Sequence, residues 1–282
     1  MPRLPIVLLA FVCSCRSTPA SDRPRPIAST PIATTGPIAR RLLATPGFTW
    51  QSFESPHVRL HLASEMAIGR VNELADSAES ARRTTLALLG EPDVADEQPL
   101  ELVLVETRED MRRLVGRPAA GGGFPDELSV VMVAGSGYRA FFRHEFTHTY
   151  AAFRWGRRQS GSWLDEGLAT LATGPCQGYS IDAVAAGYIA SGDSPPLDAL
   201  TADFYAIAEL PGYFTAASLV DFLRRREGVR AVRSIWRGEQ LGTDLAHPLG
   251  GDTERLWSDW KQQLSRVPPA ILDTARQRRE GC

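Results

Sequence analysis

"FFRHEFTHTY", residues 141–150, sets two histidines four apart with a glutamate directly after the first. On an α-helix His144 and His148 stand about 40° apart around the axis and one turn of about 6 Å along it. Both imidazoles can then reach one ion at bonds of about 2.0–2.1 Å. Glu145 projects roughly 100° further round, beside such an ion, where it can take a proton from water. The chain has only five histidines, yet a motif this short also arises by chance, and two core histidines would read the same way. A third ligand downstream decides between the readings.

"GSWLDEGLATLATG", residues 161–174, supplies one. Ser162 and Asp165 form a capping-box pattern for a second helix, which puts Glu166 in its first turn. Gly167 and Ala169 are small enough for close packing against the first helix. Two histidines and a glutamate leave one position open for water, the arrangement of catalytic zinc sites. Asp165 is the rival ligand, but neighbouring helix residues point about 100° apart, and capping accounts for it. The metal ligands are therefore His144, His148 and Glu166, for one Zn²⁺.

HExxH followed by WLxEGLA resembles the gluzincin zinc metallopeptidases, specifically the peptidase MA-like domains related to the thermolysin and aminopeptidase groups. The matching residues are His144, Glu145, His148 and "WLDEGLA" at 163–169, and "YFTAASLVDFLRRREG" (213–228) and "LWSDWKQQL" (256–264) are similar to that family's helical lobe. The resemblance spans roughly residues 50–264. It implies a thermolysin-like catalytic architecture and peptide-bond hydrolysis with Glu145 as general base. It also implies an edge strand that aligns a peptide or protein substrate, which we place at "LSVVMVA" (128–134). The helical lobe of relatives often supplies an oxyanion donor; Tyr213 is the candidate, ahead of Tyr205 and His247. Some members carry a carboxylate four residues after the ligand glutamate to orient a histidine; here that place is Thr170. The rival reading is a zinc-binding lipoprotein with a structural or binding role that has lost turnover, against which the intact Glu145 counts. Another is a zinc hydrolase of a non-peptide amide.

Working outward, Val58, Leu60 and Leu62 alternate with His57, Arg59 and His61, a half-buried strand that sets both histidines on the solvent face. A helix capped by Ser64 follows and stops at Gly90. Residues 100–105 form a buried strand, and Thr107 with Asp110 caps a short helix ending near Gly116. Residues 117–127, with three glycines, read as a loop, and no phosphate-binding glycine pattern follows a strand. Residues 128–134 form a third strand, and from about residue 138 everything reads as helix or loop. The fold class is α+β: a small mixed sheet with helices, the HExxH helix at the junction, then an all-helical C-terminal lobe.

The N-terminus differs in kind. A nine-residue apolar run (4–12) follows Arg3 and precedes Cys13 and Cys15, too short to span a bilayer but suited to a secretory signal. A cysteine straight after it resembles a bacterial lipoprotein leader, with Cys15 lipidated. Residues 16–46, dominated by Pro, Ser, Thr and Ala, read as a flexible tether. The organisation is thus a leader (1–15), a tether (16–46) and a peptidase domain (47–282), in an exported, membrane-tethered protein. In an oxidising compartment Cys176 and Cys282 can pair, though two free thiols are equally open. A net charge of −2 gives no field for nucleic acid, and Arg224, Arg225 and Arg226 suit a helix end.

Overall fold

A computed structural model describes residues 25–26, 36–63, 69–94, 98–135, 141–239, 253–269 and 271–272. The order of elements begins with β1 (Arg25–Pro26), α1 (Pro37–Leu43), β2 (Gln51–Glu54), β3 (Val58–Leu62), α2 (Val71–Leu89) and β4 (Leu100–Val105). Then come α3 (Arg108–Val115), β5 (Gly121–Phe124) and β6 (Ser129–Val133). The remainder is helical: α4 (Phe142–Trp155), α5 (Ser162–Thr173), α6 (Ile181–Ser191), α7 (Leu197–Ala202), α8 (Glu209–Glu227), α9 (Val229–Trp236) and α10 (Thr253–Leu264). The α+β class follows directly.

One mixed sheet carries the strands in the order β1-β2-β3-β4-β6-β5. Strands β3, β4 and β6 are mutually parallel, while β2 and β5 pair antiparallel at the flanks. Parallel neighbours need crossovers. Helix α2 makes one, packed on the face of Leu60, Leu102 and Val130. Helix α3 lies on the opposite face, with Met111 and Leu114 against Val103 and Val131. Thr107 caps α3 by accepting from Asp110 N at 3.0 Å, as its spacing predicts. Helix α2 ends at Gly90 in the left-handed conformation, also as read, while Ser64 lies outside the described residues.

Covering both faces corrects the reading of the strand histidines. Alternation along β3 is present, but its second face meets protein rather than water, as parallel strands require. His61 is fully buried: Ser52 Oγ lies 2.7 Å from its Nδ1 and Glu101 lies 2.6 Å from its Nε2. Arg59 donates to the same carboxylate at 2.8 Å, so the buried charges are paired. His57 is half-buried on Glu79. The start of the folded part also moves. Residues 37–43, assigned to the tether, form α1, which opens with a proline in its first turn and buries Ala39 and Leu42.

Two further differences concern the edge. Strand β6, expected at the border, is interior; the border strand is the three-glycine segment read as a loop, β5. Glycine is a poor strand former, so nothing local announces β5. Its reason is a close approach. A Cβ at Gly121 would stand 2.5 Å from Glu145 Oε1, and one at Gly123 would run into Thr149 Oγ1. The bare strand lies directly on the HExxH helix.

Behind the sheet, the helical lobe packs around the fully buried Trp155, Trp163, Trp236 and Trp260. Arg224, Arg225 and Arg226 close α8 as expected, and each meets a carboxylate, at Asp221, Asp182 and Asp259 respectively. Cys176 is disulfide-bonded, while Cys282 lies outside the described residues, as do the leader, Cys15 and His247. No described helix is long and apolar enough to cross a membrane.

Candidate metal centre

Helix α4 is held by one stripe: Phe142, Phe146 and Tyr150, four apart, are buried in the main core. The neighbouring stripe, His144 and His148, is thereby turned toward α5. The N-terminal half of α5 brings Glu166 up to them, from the second turn rather than the first. His144 Nε2 and His148 Nε2 lie 3.1 Å apart, and Glu166 Oε2 stands 3.3 and 3.4 Å from the two nitrogens. These three residues are the group of possible metal ligands found among the described residues.

The donor atoms fit an ion. Tetrahedral bonds of about 2.0–2.1 Å put ligand atoms roughly 3.3–3.4 Å apart, close to the three separations above. Among the described residues Glu166 Oε2 is also buried without a hydrogen-bond partner, a costly state for a carboxylate oxygen in the absence of a cation. Burial raises the affinity of Glu166 for a proton, but the two imidazoles more than reverse this and hold its carboxyl well below the usual range. Burial likewise opposes a charge on His148, yet Asp165 and then Glu166 push it up to about 10. The carboxylates thus call for positive charge between them, from a proton or from a metal that displaces it.

Asp165 is where the sequence reading misses. Ser162 is the first helical residue of α5, the cap position is Gly161, and no side chain caps it. Asp165 instead accepts from His148 Nδ1 at 2.5 Å, and Arg158 donates to its other oxygen at 3.0 Å. A carboxylate on the far ring nitrogen fixes which nitrogen faces the ion and makes it more basic. The histidine-orienting carboxylate absent at Thr170 is therefore present next to the ligand glutamate. The Thr170 hydroxyl is buried with no partner among the described residues. Gly167 also acts elsewhere than expected: its missing side chain admits α8, whose Ala216 backbone would stand 2.9 Å from a Cβ there.

Glu145 is on the same helix, on the side of β5. Burial raises its carboxyl above the ordinary value, against the lowering influence of His148 and His144. Tyr213, in the second turn of α8, stacks its ring on His144 at 6.2 Å and 18°. Burial and the charge of Glu166 raise its phenol. Tyr205, in a short 3₁₀ turn (Phe204–Ala206), is largely exposed but donates to Glu166 Oε1 at 2.8 Å. Burial of that hydroxyl and the same carboxylate bring its pKa up to about 12. Both tyrosines thus converge on the ligand glutamate. In the sequence they are alternatives for one role; Arg158 carries no local pattern that marks its contact with Asp165, and the reason for Gly121 lies in Glu145, on another element. No protein-family model and no curated protein matches the chain, so the centre is read from its own geometry.

Proposed function

We propose that the chain is an exported, zinc-dependent metallopeptidase of the gluzincin type. The observation that carries this reading is the convergence of His144 Nε2, His148 Nε2 and Glu166 Oε2 at mutual distances of 3.1–3.4 Å. Zinc held by His144, His148 and Glu166 would supply Lewis acidity toward a carbonyl and would make a water acidic near neutral pH. The chain's own groups do the rest. Glu145 takes the proton of that water and delivers it to the leaving amine. Its raised proton affinity in a buried setting suits both halves of the task. Tyr213 donates its hydroxyl to the oxyanion that develops on the carbonyl. Tyr205, bonded to Glu166, positions that ligand.

The free border of β5 supports a peptide as substrate. An extended chain adding there would find, among the described residues, a strand edge with no neighbour and three glycines without side chains, and it would pass Glu145, which lies against Gly121. Export and anchoring through Cys15 belong to the same proposal and rest on the leader sequence; labelled fatty acid entering the parent but not Cys15→Ser checks them. For the activity, the experiment is digestion of a peptide library by the purified chain, with and without chelator. Cleavage that stops with chelator and returns with zinc supports the reading. A zinc-loaded chain that cleaves nothing opposes it.

A further inference from the structure

If β5 receives a peptide, what stands beside the guest's side chains? Residues alternate between the two faces of a strand. Gly121 and Gly123 face α4, as their approaches to Glu145 and Thr149 show. Gly122 faces the other way, in register with Val131 on the side of α3. A Cβ on Gly122 would stand 3.3 Å from Arg117 Nη2. The guanidinium therefore lies over the outward face of the bare border strand, directly above its middle glycine.

Arg117 stands in the loop between α3 and β5. It is exposed, and no hydrogen bond or ion pair engages its side chain among the described residues. A second cation reaches this loop from the start of α3: Arg108 donates to the Pro118 carbonyl at 3.5 Å. Arg117 is also near enough to the reaction centre for its charge to favour the ionised form of Glu145. An arginine over three consecutive glycines, with no hydrogen bond or ion pair among the described residues, has its planar fork free for a carboxylate.

A guest strand would lie about 4.8 Å from β5. Its residue directly beside Gly122 would point to the same face as Gly122, and so toward the guanidinium. We propose that Arg117 is a specificity-determining residue, selecting peptides with aspartate or glutamate at the position lying beside Gly122. This rests on the metallopeptidase reading above and adds a substrate class to it.

The test uses the zinc-loaded chain and matched peptides that carry Glu, Ala or Lys at each position around the cleaved bond. At one position the parent should prefer Glu over Ala by about five- to tenfold in kcat/KM, the scale of a partly exposed charged contact. In Arg117→Ala the ratio should fall to about one, and in Arg117→Glu the preference should pass to Lys, with zinc content and melting temperature held. A preference for Glu that survives in Arg117→Ala overturns the proposal. So does an equal loss on Glu, Ala and Lys peptides, which would mean that the guanidinium serves Glu145 rather than substrate. If the parent cuts peptides with no acidic preference at any position, the proposal falls and the metallopeptidase reading stands. If it cuts none, both fall.

Discussion

Replacing Gly121 by alanine puts one methyl group against the proposed general base. The added carbon would stand 2.5 Å from Glu145 Oε1, 2.6 Å from Cδ and 2.7 Å from Cγ. Ordinary contact between such atoms needs about 3.5–4.0 Å, so the carboxylate must retreat by about 1 Å. It can do so because it is the end of a flexible side chain, and leaving its preferred rotamer costs about 0.5–1.5 kcal/mol. A misplacement of that size costs on the order of 10²-fold in rate. The expected result is kcat down by about two orders of magnitude, with zinc content equal to the parent's and a melting temperature within a few degrees. Gly123→Ala gives the contrast. Its methyl group would meet buried Thr149, whose hydroxyl is already bonded to the Glu145 carbonyl, so the strand itself must move. That variant should lose about 1–3 kcal/mol of stability. Peptide kinetics, metal analysis and thermal melts on both proteins make the comparison. Parent-like kcat in Gly121→Ala would refute the placement of Glu145 as the base.

Other expected outcomes follow from the same geometry. Asp165→Asn should weaken zinc binding by about 10–100-fold, because the carboxylate orients His148; a competition titration with a metal indicator reads it, and unchanged affinity would make Asp165 a plain surface acid. Tyr213→Phe should slow kcat by about 10²–10³ with zinc retained, whereas Tyr205→Phe, which frees Glu166 Oε1, should act first on zinc affinity. Reversal of that pattern would exchange the two roles. Intact-mass analysis before and after reduction should show Cys176 bridged to Cys282, and an alkylatable Cys282 in the unreduced protein would give the bridge another partner.

The parts legible in sequence are those set by short-range geometry. The i, i+4 histidines, the Thr107 cap and the Gly90 stop each depend on a few consecutive residues, and each stands where its spacing put it. What sequence could not show is set by distant partners. His61 reads as a solvent-facing residue because its neighbours alternate, yet Glu101 and Ser52 bury it from other strands. Asp165 carries a capping pattern, and a histidine on another helix with Arg158 beside it claims the side chain instead. The glycines of β5 look like a loop, since their purpose, room for Glu145 and Thr149, is visible only once α4 lies beneath them. At the candidate metal centre the three converging residues are legible in sequence and their supports are not.

The central claim is that His144, His148 and Glu166 hold zinc for a reaction in which Glu145 moves the proton. Glu145→Gln keeps the size of the side chain and removes only its ability to accept that proton. The rate of peptide hydrolysis by this variant, compared with the parent at equal bound zinc, is therefore the most direct measurement. The account predicts a zinc-loaded protein with hydrolysis reduced to background. A Glu145→Gln protein that cleaves as fast as the parent would contradict it.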